Sequence, residues 1–469
     1  MLKIFNILLI ILLITLFSCS KTVRNDEWIT SDDDKNAVDI YELTEKAPYK
    51  AEIPEKIKKN VIEEKSVKKS YHKLYKASDK RNLLLVLPLT GKLSIIGNKI
   101  KRAIEKTNSE LESPYNILYF DTESNMYERK GDLYNYLVSR DMKFIIGGLG
   151  QEDTKDIAEV ALIKNLIVFS FSPASDLALI YKNLIIQSLT PENIVYSIVK
   201  YSVFKKKFKK FAILYPYTEA GLKYYEYFKY YADYFGAEVT TEVMFNPKAP
   251  NLDKPISKLV KRDNPYLRPD FQKYIRHAKM IANPYKRKHY LEVAKMKLKP
   301  VFDYDAVFLP VSYKKINFII PLLAAWDLPL KTNNKRLMEQ VYHKYLDKNQ
   351  KYVQVLGIPF WYNSDIFNDP SPYINGAIFP SPFSIDLSDK SNPFVNLFKE
   401  DIVKKKSIIY EALSYDLINI IYYVFENRQS IEEYEGVMGT YEFRKNQLFK
   451  NFSMAIIHNN RIFTVYDSY

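Results

Sequence analysis

The chain of 469 residues has a formal net charge of +14, 39 tyrosines and one cysteine, Cys19. A single cysteine excludes an internal disulfide bond. We expect most of the tyrosines to pack on helices with their hydroxyl groups reaching water.

The first nineteen residues predict an export signal. Lys3 supplies a positive charge, and residues 4–17 are almost wholly apolar but too short for a comfortable membrane span. Residues 16–19, Leu-Phe-Ser-Cys, resemble the lipobox of bacterial lipoproteins, whose cysteine is acylated after cleavage. We therefore expect a lipoprotein signal peptide at residues 1–19, with Cys19 as the lipidation site. An uncleaved signal anchor is the alternative.

Residues 20–80 have few large apolar side chains and many charges of both signs. Such a segment cannot bury enough apolar area to offset the entropy lost on ordering, so we expect a mostly disordered tether. As a flexible coil it would reach roughly 40 Å. No later apolar run is long enough to span a membrane, which predicts a folded part held by this tether.

From residue 82 onward, short apolar runs alternate with helical patterns, which predicts parallel sheets covered by helices. The first run, residues 83–87, stops at a turn that contains Pro88 and Gly91. The pattern restarts after Leu189, so we expect two α/β lobes. Further strands are predicted at 115–121, 143–146, 166–170, 184–187, 210–215, 237–245, 305–309, 352–358 and 376–379, and helices at 99–111, 127–139, 154–164, 194–204 and 221–235.

Six stretches then carry a family resemblance: LLLVLPLTGKLSIIGNKIKRAIE, FIIGGLGQEDTKDIAEVALIKNLIVFSFSPAS, KKFAILYPYTEAGLKYYEYFKYYADYFGAEV, YDAVFLP, SYDLINIIYYVFE and EGVMGTYEF. In this order they resemble the type 1 periplasmic-binding-protein superfamily, in its leucine-binding-like branch, from residue 82 to 469. LPLTGKLSIIG and LTPENIVYSIVKYSVFKKKFKKFAILYP are also similar to penicillin-binding-protein activator lipoproteins of the LpoA type.

The resemblance implies two doubly wound, Rossmann-like lobes with parallel sheets, joined by a three-crossover hinge. Lobe one would comprise 82–189 and 382–434, and lobe two 192–378 and 438–469. The crossovers would lie near Leu189, Pro380 and Gly436. Such a hinge allows the lobes to open and close around a central cleft.

Residues 246–303 form a basic insertion within lobe two. Fifteen basic and five acidic residues give this segment +10 of the chain's +14, and its prolines predict short helices. Interleaved aromatic residues would also suit nucleic acid, which an exported protein has little chance to meet. The remaining interpretations are a solvated excursion whose aromatic side chains pack on lobe two, or a contact for an acidic partner, anionic lipid or wall polymer.

The sequence predicts no enzyme, no metal site and no cofactor, because no catalytic motif or metal-ligand spacing occurs. Hydroxyl groups and glycines at strand ends instead suggest a ligand cleft, where parallel strands present their carboxyl ends. In leucine-binding-like proteins the loops corresponding to 148–151 and 170–175 hold a ligand's carboxylate and amine. Here the second loop keeps its hydroxyl groups, but the first lacks the serine of an amino-acid binder. The candidate ligand residues are Thr90, Gly91, Gly148, Gln151, Ser170, Ser172, Tyr217, Thr218, Ser312 and Tyr313.

Two functions follow as expectations. The first is a non-enzymatic, lipid-anchored envelope protein, facing the periplasm or exterior, that regulates peptidoglycan synthesis through contact with a synthase. The second is a solute receptor that delivers an amino acid or small anion to a transporter permease. The decisive observation is whether Leu89, Leu149, Phe171 and Tyr313 fill the space between the lobes.

Overall fold

A computed structural model describes residues 82–345, 351–368, 371–404, 407–426, 433–444 and 447–465. The predicted signal peptide, the lipobox with Cys19 and the tether lie outside the described residues.

Alternation of apolar runs and amphipathic stretches produces strands and helices in turn. The strands are β1 (Asn82–Leu87), β2 (Asn116–Asp121), β3 (Phe144–Gly147), β4 (Ile167–Ser170), β5 (Leu184–Ile186), β6 (Lys210–Pro216), β7 (Glu238–Phe245), β8 (Ala306–Phe308), β9 (Gln354–Leu356), β10 (Ile378–Pro380), β11 (Glu433–Gly436), β12 (Gly439–Arg444), β13 (Gln447–Asn451), β14 (Met454–His458) and β15 (Arg461–Val465). The helices are α1 (Ser94–Glu110), α2 (Met126–Val138), α3 (Gln151–Leu162), α4 (Leu177–Ile180), α5 (Pro191–Phe204), α6 (Glu219–Tyr234), α7 (Asp253–Leu259), α8 (Pro269–Lys279), α9 (Pro284–Met296), α10 (Tyr313–Ala325), α11 (Lys335–Tyr345), α12 (Pro393–Leu397), α13 (Lys399–Val403) and α14 (Ile409–Ile420), the last continued by a π-helical turn at Ile421–Glu426.

The strands form two sheets, one for each lobe. The first has the order β11-β12-β13-β5-β4-β3-β1-β2, and the second β15-β14-β10-β9-β8-β6-β7. The strands from β1 to β10 pair in parallel within their sheets. The predicted α/β fold with two doubly wound lobes is confirmed, and each sheet also carries an antiparallel edge that the sequence pattern did not predict.

Strand β1 is buried on both faces of the first sheet, and each of its buried residues is apolar. Leu83, Leu85 and Leu87 enter one core cluster, whereas Leu84 and Val86 enter a second cluster on the opposite face. A strand that points alternate residues to opposite faces needs this continuous apolar run when helices cover both sides.

The third crossover between lobes differs from the expected position. Gly436 and Gly439 flank the turn of a hairpin, so β12 and β13 stay in the first sheet, and β13 pairs with β5. The chain passes to β14 of the second sheet through Phe452 and Ser453 alone. Thus residues 439–444 and 447–451, which were expected in lobe two, pair with lobe one. The reason is that glycines mark a two-residue hairpin as readily as a hinge.

The basic insertion between β7 and β8 forms the short helices that its prolines predict. Pro269 and Pro284 occupy the first turns of α8 and α9, where a missing backbone N–H has no cost. These two helices have a small core of their own around Phe271, Ala294 and Leu298.

Candidate functional site

The loop that follows β4 in lobe one contacts α6, the helix that follows β6 in lobe two. Lys223, in the first turns of α6 in lobe two, places its Nζ 3.4 Å from Oδ1 of Asp176, which follows β4 in lobe one. The neighbouring Ser175 hydrogen-bonds the hydroxyl of Tyr227 on α6. These contacts join the loop after β4 to α6, and the region between the two lobes beside them is hereafter the cleft.

The turn after β1 folds onto the end of β2 rather than leaving its hydroxyl group available. Thr90 donates its Oγ1 hydrogen to Asp121 Oδ2 at 2.6 Å, and the backbone N–H groups of Leu89 and Thr90 donate to Oδ1. Burial raises the pKa of Asp121, but these hydrogen bonds and one from the Glu123 N–H outweigh it and lower the pKa below its usual value. The predicted ligand residue Thr90 is therefore part of a turn held by a carboxylate.

Gly148 and Ser170 come together in a buried hydrogen-bonded cluster at the ends of β3 and β4. The Ser170 hydroxyl donates to the Gly148 carbonyl at 3.0 Å and lies 2.9 Å from Thr154 Oγ1 on α3. Gly148 has φ +85°, and a Cβ there would lie 2.4 Å from Thr154 Oγ1. Ser172 accepts from the Ala174 N–H and is fully buried. Both serine side chains thus hold the loops in shape.

In lobe two, Thr218 and Ser312 precede helices, and only one caps its helix. Thr218 Oγ1 accepts from the Gly221 N–H at 3.0 Å and so begins α6. Ser312 occupies the same position before α10 but makes no side-chain cap hydrogen bond. The adjacent Tyr217 is 44% exposed, whereas Tyr313 is buried.

Apolar side chains of these loops belong to one continuous core. Leu149 and Phe171 from lobe one and Tyr313 from lobe two are buried members of a cluster that includes residues of both lobes. Leu89 is partly buried against the same cluster. The side chains of Leu89, Leu149, Phe171 and Tyr313 therefore pack against other protein side chains.

Polar groups without a side-chain partner remain at three of the ten predicted positions. Among the described residues, the side chains of Gln151, Tyr217 and Ser312 accept or donate no hydrogen bond, and all three are partly or well exposed. They follow β3, β6 and β8. These three groups are the part of the predicted set that could still contact a small ligand. Of the others, Thr90, Ser170, Ser172 and Thr218 use their hydroxyl groups internally.

A buried polar cluster beside the crossovers escaped the sequence analysis. Asp416 on α14 accepts from the N–H groups of Val437 and Met438, at 2.8 and 3.0 Å, and from the Tyr441 hydroxyl at 2.8 Å. Gln187, in the first crossover, donates to the same hydroxyl oxygen at 3.3 Å. Asp416 therefore holds the two-residue turn of the hairpin that keeps β12 and β13 in lobe one.

Lys450 on β13 is fully buried in this cluster. Its Nζ has no hydrogen-bond partner among the described residues and lies 4.4 Å from the centre of the Phe452 ring. Burial lowers the pKa of Lys450 well below its ordinary value, and burial raises the pKa of Asp416 to about 6. An aspartate directly before the run LINII (residues 417–421) and a lone lysine between Phe449 and Phe452 were the signals that could have found the cluster.

Within the described ranges, no three histidine, cysteine or acidic side chains form a group that could hold a metal ion. None of the described helices is both long enough and apolar enough to cross a bilayer. What the arrangement can do chemically is offer the individual side chains of Gln151, Tyr217 and Ser312 to a polar ligand, or present loops held by internal hydrogen bonds to another macromolecule.

The geometry is that of the type 1 periplasmic-binding-protein fold: two doubly wound lobes joined by three crossovers. No protein-family model matches the chain, and no curated protein matches its sequence. Several hundred solved chains match its structure.

Two kinds of solved structure show this fold. A putative branched-chain amino acid ABC transporter protein from Rhodospirillum rubrum matches with a TM-score of 0.61 and 13% identity, over 82% of this chain and all of that one. The C-domain of LpoA from Haemophilus influenzae, a regulator of PBP1A, matches with a TM-score of 0.52 and 15% identity, over 82% of this chain and 99% of that one. Full-length LpoA matches with a TM-score of 0.54 and 12% identity, over 84% of this chain and 60% of that one. At such identities the likeness establishes the fold alone.

Proposed function

We propose that this protein is a non-enzymatic, lipid-anchored envelope protein that regulates peptidoglycan synthesis through contact with a synthase. The observation that carries the proposal is the internal use of the cleft's hydroxyl groups. Those of Thr90, Ser170 and Ser172 bind their own loops, and a ligand would have to break these bonds to be held by them.

The buried side chains of Leu149, Phe171 and Tyr313 support the same conclusion, because they fill space at the loops where leucine-binding-like proteins are expected to hold a ligand. The similarity in fold to the LpoA C-domain, described as a regulator of PBP1A, gives the partner class. A chain that acts through protein contact needs stable loops more than an open, polar cleft. The anchor at Cys19 is the part of this proposal that rests on sequence alone.

The test is affinity capture. The full chain, immobilised through a C-terminal tag, is incubated with detergent-solubilised envelope from its own source, and captured proteins are identified by mass spectrometry. We expect a peptidoglycan synthase, and its glycan-polymerising activity should rise when the purified chain is added. Capture of a transporter permease without any synthase would overturn the proposal.

A second candidate is a solute receptor for an amino acid or related small anion. It is favoured by the unpartnered side chains of Gln151, Tyr217 and Ser312 and by the higher TM-score of the transporter protein. Thermal unfolding with branched-chain amino acids and small anions separates the two functions. A ligand at 100 times its Kd adds about 2.7 kcal/mol to the free energy of unfolding.

The matched variants for that screen are Gln151→Ala and Ser312→Ala, with Lys164→Ala as a distant surface control. A receptor loses the ligand-induced shift in the first two variants and keeps it in the third. If no amino acid or anion shifts the melting temperature of the wild type, the receptor function is excluded for the solutes screened.

A further inference from the structure

The basic insertion turns back on itself between α8 and α9, and we call residues 279–289, at this turn, the hairpin tip. The tip carries both exposed apolar side chains and a cluster of cations. Every side chain from 282 to 289 is exposed, and the two largest apolar ones near the apex, Met280 and Tyr285, are 80% and 86% exposed. Isolated exposed apolar residues are ordinary on protein surfaces, but here they lie within a cluster of cations. Lys273, Arg276, Lys279, Lys286 and Lys288 surround them in sequence, all exposed.

These cations lack acidic partners. No aspartate or glutamate occurs between residues 271 and 291, and none of the five makes an ion pair with any described residue. The nearest acids on either side are already paired, Asp270 with Arg268 and Glu292 with Lys295. The tip therefore presents an uncompensated positive field together with exposed apolar side chains.

The hairpin tip is held in shape rather than loosely coiled. Asn283 accepts from the N–H groups of Tyr285 and Lys286 and so begins α9. The Arg287 guanidinium donates twice to the Ile281 carbonyl, at 2.9 and 3.1 Å, and closes the turn. At the base, Arg268 donates to the carbonyls of Lys261 and Lys299. A rigid tip loses little conformational entropy when it docks.

We propose that the hairpin tip docks on an anionic phospholipid bilayer, with its cations at the headgroup phosphates and with Met280 and Tyr285 in the interfacial region. Charge complementarity selects an acidic surface. The exposed apolar pair selects a bilayer over a hydrated polyanion, because only the bilayer offers an apolar layer beneath its phosphates. Tyrosine is typical of that interface. Each basic residue near such a surface strengthens binding about fivefold.

This inference stands apart from the proposed function, since the tip lies on the insertion and not at the cleft. The test reads the tip directly. The full chain carries Cys19→Ser and Ala282→Cys, and a polarity-sensitive fluorophore is attached to the single thiol. Two kinds of vesicle are compared: neutral ones of pure phosphatidylcholine, and anionic ones of phosphatidylcholine with about 30% phosphatidylglycerol. The label at residue 282 reports the surroundings of the tip itself, and the charge-matched variant given below separates the tip from the other cations of the chain.

We expect a blue shift with the anionic vesicles only, reversed by 0.5 M salt. Lys279→Glu combined with Lys286→Glu and Lys288→Glu should weaken partitioning about 100-fold. The matched control of equal charge change, Lys92→Glu with Lys164→Glu and Lys314→Glu, should retain it. Met280→Ser with Tyr285→Ser should reduce the shift while keeping its salt dependence.

Three outcomes would overturn the proposal. One is equal emission with the two kinds of vesicle. Another is an equal blue shift on soluble poly-glutamate or a DNA oligonucleotide, which would identify a polyanion as the partner. The third is an unchanged shift in the Met280→Ser, Tyr285→Ser chain, which would exclude insertion. A label at Lys164→Cys, on lobe one, reports whether any change is local.

Discussion

Lys223 of lobe two and Asp176 of lobe one form an ion pair across the cleft, with 3.4 Å between Nζ and Oδ1. Lys223 also pairs with Glu219 one turn earlier on α6, so its ammonium group is held between two carboxylates. Both partners are partly exposed, and exposed ion pairs contribute little to the free energy of unfolding, about 0–1 kcal/mol. The pair therefore has more influence on lobe closure than on folding.

The first prediction concerns this closure. Asp176→Ala should shift the lobes toward more open conformations, because it removes a direct link between them, and should change the melting temperature little. Small-angle scattering measures the radius of gyration, which should increase in the variant and, in the wild type, with added salt. Lys229→Ala is the control, since Lys229 pairs with Glu242 within lobe two. An equal increase in both variants would show that the inter-lobe pair has no special role.

The second prediction concerns Gly148. Gly148→Ala should destabilise the fold by roughly 2 kcal/mol or more, because the residue has a positive φ and its new Cβ would collide with Thr154. Gly131→Ala is the control. Gly131 lies on the exposed face of α2 with open space around it, so alanine should stabilise by about 0.5–1 kcal/mol. Chemical denaturation measures both. If Gly148→Ala has no effect on the free energy of unfolding, the loops around Gly148, Thr154 and Ser170 can move apart to accept the added methyl group.

The third prediction separates two hydroxyl groups that look alike in the sequence. Thr218→Ala should cost about 1 kcal/mol, because it removes the cap of α6, whereas Ser312→Ala should be nearly neutral. Urea unfolding of the two variants gives the comparison. A similar cost at both positions would mean that Ser312 also caps its helix in solution, and would remove it from the groups available to a ligand.

The fourth prediction concerns the pH dependence of stability. Because the pKa of Lys450 is lower in the folded state than in the unfolded state, the unfolded chain binds more protons between these two values. The free energy of unfolding should therefore rise with pH up to about 10 through this residue. The raised pKa of Asp416, about 6, acts oppositely, so its contribution falls as pH rises from about 4 to 6.

Lys450→Met tests the first of these effects. It keeps an unbranched apolar side chain that is one atom shorter, and it removes a buried amine that has no hydrogen-bond partner among the described residues. We therefore expect a gain of about 1–2 kcal/mol at pH 7. The alkaline rise should disappear in the variant. Lys164→Met, at an exposed position after α3, is the control. Loss of stability in Lys450→Met at every pH would show that the amine stabilises the cluster.

Much of the fold was predictable because its strands are continuous apolar runs. Residues 83–87 and 210–215 could only be buried parallel strands, and the helices that follow them were recovered within a few residues. The third crossover was not predictable. Gly436 suits a hairpin or a hinge equally, and the choice is made by Asp416, which is twenty residues away and binds the turn.

The sequence predicted where the candidate ligand residues lie in the fold, but not which of their hydroxyl groups are used in internal hydrogen bonds. Thr90, Ser170 and Ser312 lie at or just after the carboxyl ends of β1, β4 and β8, where the strand pattern places them. Whether a hydroxyl group binds its own loop or stays available depends on neighbours distant in sequence, such as Asp121 for Thr90 and Gly148 for Ser170. A residue type at a turn carries no information about those partners.

The shortness of the third crossover limits how the two lobes can move. Phe452 and Ser453 together span at most about 7 Å, and the Ser453 carbonyl accepts from the Ser381 N–H, in the second crossover, at 2.7 Å. The Phe452 N–H is in turn bound by Ser197 of α5. The lobes therefore cannot translate apart at this edge. Any large motion must be a hinge rotation of one lobe relative to the other, with its axis beside Ser381 and Ser453.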